Sequence, residues 1–229
     1  MYSLTISLTV FALVLPHRTA AQDDHPWIAP TATDVRSPCP GLNTSGMNLT
    51  ISQILDAALE GFNVDADAII QAAKHNLIEH DASLSRNDFA LGDNLHFNET
   101  VFSTLANSNP GVDFYNTTSA GLVQHARLAD SVARNPNVTN TEKEHLLRSR
   151  ESSLYLSIMG DPLTGVAPKE FVQIFFREER LPIAEGWTRP TTLINSVTLA
   201  PLENIIRPVS MWVASQACED LVIGPGLTI

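Results

Sequence analysis

The stretch Ser37-Pro-Cys-Pro-Gly-Leu-Asn43 is the part of this chain on which the assignment of its fold depends. Each proline fixes its own φ, lacks an amide donor and restricts the residue before it, so the backbone is rigid on both sides of Cys39. A rigid loop that presents one thiol suits a metal ligand. The second cysteine, Cys218, lies near the C-terminus, and exported proteins usually pair their cysteines. A disulfide between the two cysteines and a metal-ligating Cys39 are therefore open alternatives.

Helical periodicity dominates the sequence around this stretch. Apolar residues recur at helical spacing and predict helices over 51–62, 67–78, 97–107, 119–134, 141–159 and 168–179. Asp65 or Asp67 is expected to cap the second helix, and Pro168 to stand in the first turn of the last. Patterns typical of strands are few, and 222–229 is too short and glycine-rich to form a substantial one. The predicted fold class is therefore all-α, in a single domain.

The N-terminus has the pattern of a secretory signal peptide. An apolar run extends from Leu4 to Leu15, and small residues just before Gln22 suit cleavage there. The run is shorter than the about 20 apolar residues that span a bilayer. We therefore predict a signal peptide over 1–21, a mature domain over 22–229, secretion, and no attachment to a membrane after cleavage.

Charge and glycosylation patterns agree with an exported protein. The chain has 25 Asp and Glu residues against 14 Lys and Arg residues, a formal net charge of −11. An acidic chain without basic clusters argues against binding to nucleic acid or to an anionic membrane. Sequons of the type N-x-S/T mark sites of N-glycosylation in secreted proteins. They begin at Asn43, Asn48, Asn98, Asn116 and Asn137.

A polar cluster, Glu79-His80-Asp81-Ala82-Ser83-Leu84-Ser85-Arg86, follows the second predicted helix. The Glu79 carboxylate and the Ser83 hydroxyl, with a backbone carbonyl between them, form an oxygen-rich set of the kind that Mg²⁺ prefers. His80 beside Asp81 suggests an imidazole oriented by a carboxylate. A polar helix end that turns into a loop would have the same residues, so the cluster alone leaves both interpretations open.

Glu151 interrupts an apolar stripe on the helix predicted over 141–159. Leu147, Glu151, Leu154 and Ile158 follow i, i+4, i+7, i+11 spacing. The carboxylate lies either at the solvated edge of this stripe or in the interior. A buried carboxylate would have a raised pKa and could exchange protons near neutral pH.

Together these motifs resemble a known family. Residues 37–43 are similar to the proximal haem loop of the chloroperoxidase and unspecific peroxygenase family of haem-thiolate peroxidases, whose signature is Pro-Cys-Pro followed by Leu-Asn. The cluster at 79–86 resembles the Glu-His-Asp-x-Ser pattern of the short branch of that family. Residues 151–161 resemble the segment with the distal glutamate, and 175–187 the downstream helix and turn. The resemblance covers roughly residues 26–187.

The resemblance implies an enzyme that uses hydrogen peroxide to oxidise, oxygenate or halogenate a small organic substrate. Cys39 would be the axial thiolate ligand of a haem b, and its negative charge would favour cleavage of the O–O bond. Glu79, the backbone carbonyl of His80 and Ser83 would bind Mg²⁺ (or Mn²⁺) beside a haem propionate.

The same resemblance assigns the distal chemistry. Glu151 would take a proton from the near oxygen of the peroxide and return it to the leaving oxygen. The side chain of His80, oriented by Asp81, would hydrogen-bond Glu151 and tune its proton affinity. An apolar lining of the pocket, or packing in the core, is expected for Phe89, Leu91, Phe97 and Phe102.

The chain departs from the family after the cysteine loop. Family members usually continue Leu-Asn-x-x-Ala-Asn-His-Gly, whereas this chain reads Leu42-Asn-Thr-Ser-Gly-Met-Asn48 and proceeds to a helix. The interval of 40 residues from Cys39 to Glu79 is also shorter than the family pattern. A compact natural variant, a mis-assembled gene model and a descendant that has lost haem are the alternatives. The last implies another function, that of a non-catalytic secreted helical protein that keeps the family fold.

Two further expectations follow from the resemblance. Asn43 would lie in the buried haem loop, so we expect no glycan there although a sequon begins at this residue. Cys218 would lose Cys39 as its partner, and an unpaired cysteine in an exported protein suggests a disulfide-linked homodimer or a buried thiol.

Overall fold

The computed structural model describes residues 29, 31, 39–45, 50–69, 80–210, 222–224 and 227–228. These residues are predominantly helical, which confirms the predicted all-α class. The helices, in chain order, are α1 (Pro40–Ser45), α2 (Ile51–Phe62), α3 (Glu99–Ala106), α4 (Thr117–Arg134), α5 (Glu142–Met159), α6 (Lys169–Glu178) and α7 (Ser196–Val209). Residues 66–69 are also helical, and Phe89–Leu91 form a turn of 3₁₀-helix.

Several predictions concern residues outside this description. They are the signal peptide over 1–21, most of the helix over 67–78, Glu79, the sequon at Asn48, and Cys218. Within the described ranges, no helix combines the length and the apolar character needed to cross a membrane.

Short polar side chains fix where several helices begin. Thr50 and Gln53 form a capping box at the start of α2, and Asn98 and Asn116 cap α3 and α4. Each cap accepts hydrogen bonds from first-turn amides that otherwise lack a partner. Two of the predicted sequons therefore begin at residues whose side-chain oxygens stabilise a helix.

Helix α5 is buried on several faces although its sequence is polar. It packs against α7 and α4, and at most 4% of the surface of each of the following residues is exposed: Arg148, Ser149, Ser152, Ser153 and Ser157. Gln124 on α4 donates from Nε2 to the Arg148 carbonyl at 2.7 Å and to the Ser152 hydroxyl at 2.6 Å. Because serine is small, it lets the helices approach closely while its hydroxyl can be hydrogen-bonded.

Helix α7 is absent from the helices that periodicity predicts, because Pro201 and Pro208 stand inside it and interior prolines usually break helices. Asn195 caps this helix, and its Oδ1 accepts hydrogen bonds from two first-turn amides at 3.0 Å. Its buried side chains are Leu199, Leu202 and Ile206, and the helix packs against α4 and α5. Tertiary packing therefore stabilises a helix that local propensity disfavours.

Two short antiparallel ladders are present. β1 (Phe114–Tyr115) pairs with β2 (Ala167–Pro168), and β3 (Val222–Gly224) pairs with β4 (Leu227–Thr228). Pro168 lies in β2 and at the N-cap of α6, one position before the first turn predicted for it. Residues 222–224 and 227–228 do form strands, although only as a two-stranded ribbon.

An aromatic cluster anchors α3, α5 and α6 to one another. The rings of Phe102 and Phe176 have centroids 5.4 Å apart, and Tyr155 meets Phe176 edge-on at 5.8 Å. Such tilted and edge-to-face arrangements are favourable beyond the area that they bury. Because Tyr155 is one turn from Glu151 on α5, this cluster also fixes the position of Glu151 along the helix axis relative to α3 and α6.

The end of α5 leaves no room for a side chain at Gly160. A Cβ there would lie 2.1 Å from the Val166 carbonyl oxygen and 2.6 Å from Ala167 Cα. We expect Gly160→Ala to lower the free energy of unfolding by about 1–3 kcal/mol, because backbone atoms must move. Urea-induced unfolding measures this change.

The matched control is Gly61→Ala in α2, where no atom lies within 4 Å of the position that a Cβ would take. There we expect no loss, and a gain of up to about 1 kcal/mol from helix propensity. Equal losses in the two variants would contradict the packing described for Gly160.

Candidate active site

Cys39 stands immediately before α1, and backbone amides surround its thiol. The amides of Leu42 and Gly41 donate hydrogen bonds to Sγ, and a Cβ at Gly41 would lie only 3.7 Å from that atom. Burial raises the pKa of the Cys39 thiol, and the amides and the positive charge of Arg86 partly offset this effect. Cys39 is a thiol and not part of a disulfide, so the alternative of a bond to Cys218 is not realised.

Cys39 and Glu151 line the same cavity. Its walls come from α1, α2, α5, α6 and the segment 80–85. Apolar side chains dominate these walls: Ile54, Ala58, Phe62, Val64, Leu84, Leu154, Ile158, Phe175 and Phe176. An apolar cavity with a few convergent polar groups is the usual form of a small-molecule site.

His80 and Glu151 form a hydrogen-bonded pair on the cavity wall. His80 Nε2 lies 2.7 Å from Glu151 Oε2, and the side chains are 4% and 32% exposed respectively. Burial alone lowers the pKa of His80, but the charge of Glu151 and the hydrogen bond outweigh burial, so the pKa is raised. Glu151 is thus half-buried, between the two environments that the sequence left open.

The other ring nitrogen of His80 fixes how many protons the pair holds. Nδ1 lies 2.7 Å from the carbonyl oxygen of Asp81, which can only accept, so Nδ1 carries a hydrogen. The hydrogen bond between Nε2 and the Glu151 carboxyl then requires one further proton, on either His80 or Glu151. The pair therefore holds one exchangeable proton at the cavity wall.

Asp81 orients His80 through its backbone, and the predicted orientation by its carboxylate is wrong. The carboxylate instead accepts hydrogen bonds from Asn135 Nδ2 at 3.0 Å and from the Thr139 amide at 2.7 Å. Asp81 thereby fastens the loop of His80 to the segment that follows α4. It supports the site without its charge reaching the imidazole through a hydrogen bond.

Arg148 is a charged neighbour of the pair that the sequence analysis missed. It lies three residues before Glu151 on α5 and is 4% exposed. Burial lowers the pKa of Arg148 to about 10, although Glu151 and Glu144 oppose this shift. Its positive charge in turn lowers the pKa of His80. The i−3 spacing from Glu151 was the signal that could have identified it.

The predicted cation ligands are described only in part. Ser83 Oγ accepts hydrogen bonds from the amides of Ser85 and Arg86 at 3.4 Å and 3.3 Å. Glu79 lies outside the described residues. Within the described ranges, no group of three or more His, Cys, Asp and Glu side chains could hold a metal ion. The Mg²⁺ site therefore stays a prediction.

A buried polar network connects the Cys39 loop, by which we mean Cys39 together with α1, to the end of α6. Glu179 Oε1 accepts a hydrogen bond from Asn43 Nδ2 at 2.7 Å and another from the Arg86 guanidinium. The exposed fractions of Asn43, Arg86 and Glu179 are 5%, 1% and 6%. The nitrogen of Asn43 that a glycan would modify is therefore engaged inside the protein, in agreement with the expectation that this sequon is unused.

The lining expected from the sequence differs from that of the described cavity. None of its wall residues is among Phe89, Leu91, Phe97 and Phe102. Phe102 is fully buried in the core, which confirms the alternative of core packing for this residue, whereas Phe89 is 77% exposed. The helical neighbours of Glu151 line the cavity instead, namely Leu154, Tyr155 and Ile158. The sequence already placed Leu154 and Ile158 on the stripe of Glu151, and Tyr155, four residues after Glu151, has the same helical spacing.

A thiol able to bind a metal and a carboxyl–imidazole pair able to exchange a proton thus share one apolar cavity, an arrangement suited to oxidative chemistry. Residues 25–192 match the model of the family described as Peroxidase, family 2. The chain belongs to this family, and the predicted class of enzyme, a peroxide-dependent oxidoreductase, is confirmed.

Characterised relatives agree with this assignment. An aromatic peroxygenase of Coprinellus radians is 30% identical over 211 residues, which cover 69% of this chain and 81% of that protein. An aromatic peroxygenase of Cyclocybe aegerita is 28% identical over 208 residues, covering 69% and 56%. A dothistromin biosynthesis peroxidase of Dothistroma septosporum is 27% identical over 160 residues, covering 49% and 39%. The chain thus spans only about half, or less, of the latter two proteins.

We expect the pKa of His80 in the haem-free protein to lie above its ordinary value of 6.5 and to fall when Glu151 is replaced by Gln. Without the carboxylate charge, burial and Arg148 both disfavour the imidazolium. Titration of the ring protons by NMR measures the pKa, and the spectrum of His80→Asn identifies the resonance.

The same shift predicts the pH dependence of stability. The pKa of His80 is raised in the folded protein. The pair therefore makes its full contribution to the free energy of unfolding at a pH below the pKa that His80 has in the unfolded chain. This contribution is lost as the pH rises through the pKa of His80 in the folded protein. A His80 pKa that is unchanged in Glu151→Gln would contradict the coupling of the two residues.

Proposed function

We propose that this chain is a secreted haem-thiolate peroxygenase or peroxidase that uses hydrogen peroxide to oxidise or oxygenate a small apolar organic substrate. One observation carries the proposal: Cys39 and the His80–Glu151 pair lie on the walls of a single apolar cavity. The family and the names of its relatives support the use of peroxide.

The residues on the walls fit a haem b, and Cys39 would hold its iron. Cys39 is the only sulfur donor among the described wall residues, and two amide hydrogen bonds to Sγ favour the thiolate form. The raised pKa keeps the thiol protonated until a metal cation binds, because a coordinating thiol is deprotonated by the metal. When bound, the haem would supply cleavage of the O–O bond and oxidation of the substrate.

The contribution of the protein to peroxide cleavage is proton transfer. Glu151 has part of its carboxyl exposed to the cavity, so it can accept a proton from one peroxide oxygen and return it to the other, which leaves as water. The proton that the pair already shares stays in the hydrogen bond with His80 Nε2 at 2.7 Å, and the Glu151 carboxyl takes up the peroxide proton in addition. The carbonyl of Asp81 holds the ring in the orientation that this exchange needs.

The walls favour a neutral, apolar substrate. Leu154, Ile158 and Phe176 present hydrocarbon surface, and no Lys or Arg is among the described wall residues, so an anionic substrate would gain no ion pair. An aromatic substrate agrees both with these walls and with the names of the two peroxygenases.

Export and glycosylation are part of the proposal. The predicted signal peptide over 1–21 and the sequons support it, and Asn137 is the start of an exposed sequon. A disulfide-linked homodimer through Cys218 would be seen as a shift in gel migration on reduction. No shift would exclude the dimer.

The proposal includes Mg²⁺ (or Mn²⁺) bound by Glu79, the His80 carbonyl and Ser83. In the structure the hydroxyl of Ser83 accepts two long amide hydrogen bonds, so a cation would have to replace or share these contacts. Metal analysis of the purified holoprotein, with and without chelator, is the measurement. Absence of both metals from protein with full haem content would refute this part.

We expect the ferrous, CO-bound protein to have a Soret band strongly red-shifted from that of a histidine-ligated haem, because a thiolate donates more charge to iron. Cys39→Ala should lose this band. Cys218→Ala is the control and should keep it. No haem absorbance after haem-supplemented expression would contradict the proposed function.

We expect Glu151→Gln to lower kcat/KM for peroxide by about 10²–10⁴-fold, since the amide cannot relay a proton. Glu142→Gln, an exposed position in the first turn of the same helix, should leave this value unchanged. Peroxide labelled with ¹⁸O then distinguishes the reactions: label in the product indicates oxygen transfer, whereas unlabelled coupled or halogenated products indicate the other routes. A Glu151→Gln variant with full activity would contradict the assigned role.

A further inference from the structure

Glu179 occupies an unusual position for a glutamate. It follows α6 in the left-handed conformation, with φ 52° and ψ 42°, which glycine or asparagine usually adopts at helix ends. The residue is also only 6% exposed, and a buried carboxylate is unfavourable unless it is paired and hydrogen-bonded. Neither backbone conformation nor solvation accounts for a glutamate here, so its contacts must.

Those contacts join segments that are far apart in the sequence. Oε1 of Glu179 accepts a hydrogen bond from Asn43 Nδ2 at 2.7 Å, and the guanidinium of Arg86 pairs with the same oxygen. Arg86 is held in turn by the Ser85 hydroxyl at 2.8 Å and lies over the ring of Phe97, 5.9 Å from its centroid. Glu179 is therefore the meeting point of α1, the loop 80–88 and the end of α6.

The contact with Asn43 reaches Cys39 through a single helical turn. The Asn43 amide donates to the Cys39 carbonyl at 3.2 Å, and the side chain of the same Asn43 is bound by Glu179. Helix α1 has six residues, too few to be stable alone. Its orientation, and with it the direction of the thiol, therefore depends on tertiary contacts such as this one.

We infer that Glu179 is a positioning residue for Cys39: by binding Asn43 and Arg86 together, it holds the Cys39 loop against the wall of the cavity. The inference deepens the proposed function, on which it rests for the role of Cys39 as a haem ligand. Glu179 acts through Asn43 and Arg86, so its effect is on where the thiol stands.

An exchange of the amide and the carboxylate tests this inference. Asn43→Asp is isosteric but replaces the donor by an acceptor that faces Glu179, and should detach the loop. Glu179→Gln alone retains an acceptor oxygen for Asn43 but leaves the buried charge of Arg86 without its ion pair, so it should also loosen the loop. The double variant Asn43→Asp, Glu179→Gln restores one donor and one acceptor between the two positions and keeps one carboxylate in the network of Arg86, so it should recover part of the parental behaviour.

Two measurements read the position of the loop. In the full-length haem-free chain, we measure hydrogen exchange of the backbone amide of residue 43. It should be about tenfold faster or more in Asn43→Asp, as expected for loss of a charged hydrogen bond. In the holoprotein, the thiolate fraction is read from the ferrous CO spectrum. This fraction should fall in Asn43→Asp and return in part in the double variant.

Control variants separate this role from general effects. Glu178→Gln changes the adjacent, exposed glutamate, which pairs with Arg180, and should alter neither measurement. Ser45→Ala removes the sequon but keeps Asn43, so it excludes an effect of glycosylation. Asn43→Ser removes the amide donor and shortens the side chain without adding charge, and provides the same test if Asn43→Asp does not fold.

The outcomes are distinct. Parental exchange and parental thiolate fraction in Asn43→Asp or Asn43→Ser would overturn the inference, as would a double variant that recovers neither quantity. If the parental protein itself has no thiolate signature, the proposed function fails. The exchange measurements then still decide whether Glu179 positions the loop.

Discussion

The buried ion pair between Arg86 and Glu179 is the interaction on which the geometry of the cavity depends, because Asn43 shares its carboxylate. Removing one partner of such a pair costs about 3–5 kcal/mol, since the other charge stays in the interior. In the intact protein, the hydrogen bonds from Asn43 to Glu179 and from Arg86 to Ser85 offset part of the cost of burying the two charges. The three segments are thereby held together by polar contacts of defined direction, which apolar packing alone would not provide.

Helix α5 supplies the second part of the site, the Glu151 carboxyl, which is held rigidly and is still able to exchange a proton. Tyr155 packs against Phe176 one turn after Glu151, and Arg148 is buried one turn before it. Glu151 itself is one-third exposed, so it meets the cavity while His80 binds it from the protein side. The buried serines of α5 let this polar helix pack inside the protein without large unfilled spaces.

Although the interval between Cys39 and Glu79 is short, Cys39 and Glu151 line the same cavity. Residues of α2, including Ile54, Ala58 and Phe62, form walls of the same cavity as Cys39 and Glu151. The shortened interval is therefore compatible with a cavity that Cys39 and Glu151 share. The residues that match the family, 25–192, include both Cys39 and Glu151.

The sequence by itself determined the helical class, the starts of α2 to α5 to within two residues, the family, and the candidates Cys39, His80 and Glu151, because periodicity, capping residues and short motifs are local signals. Only the tertiary structure decided that α7 forms despite Pro201 and Pro208, that Asp81 acts through its carbonyl, and that Glu179 binds Asn43 and Arg86. These features depend on which distant groups meet when the chain folds, and on which faces are then removed from water, and no local pattern encodes such pairings.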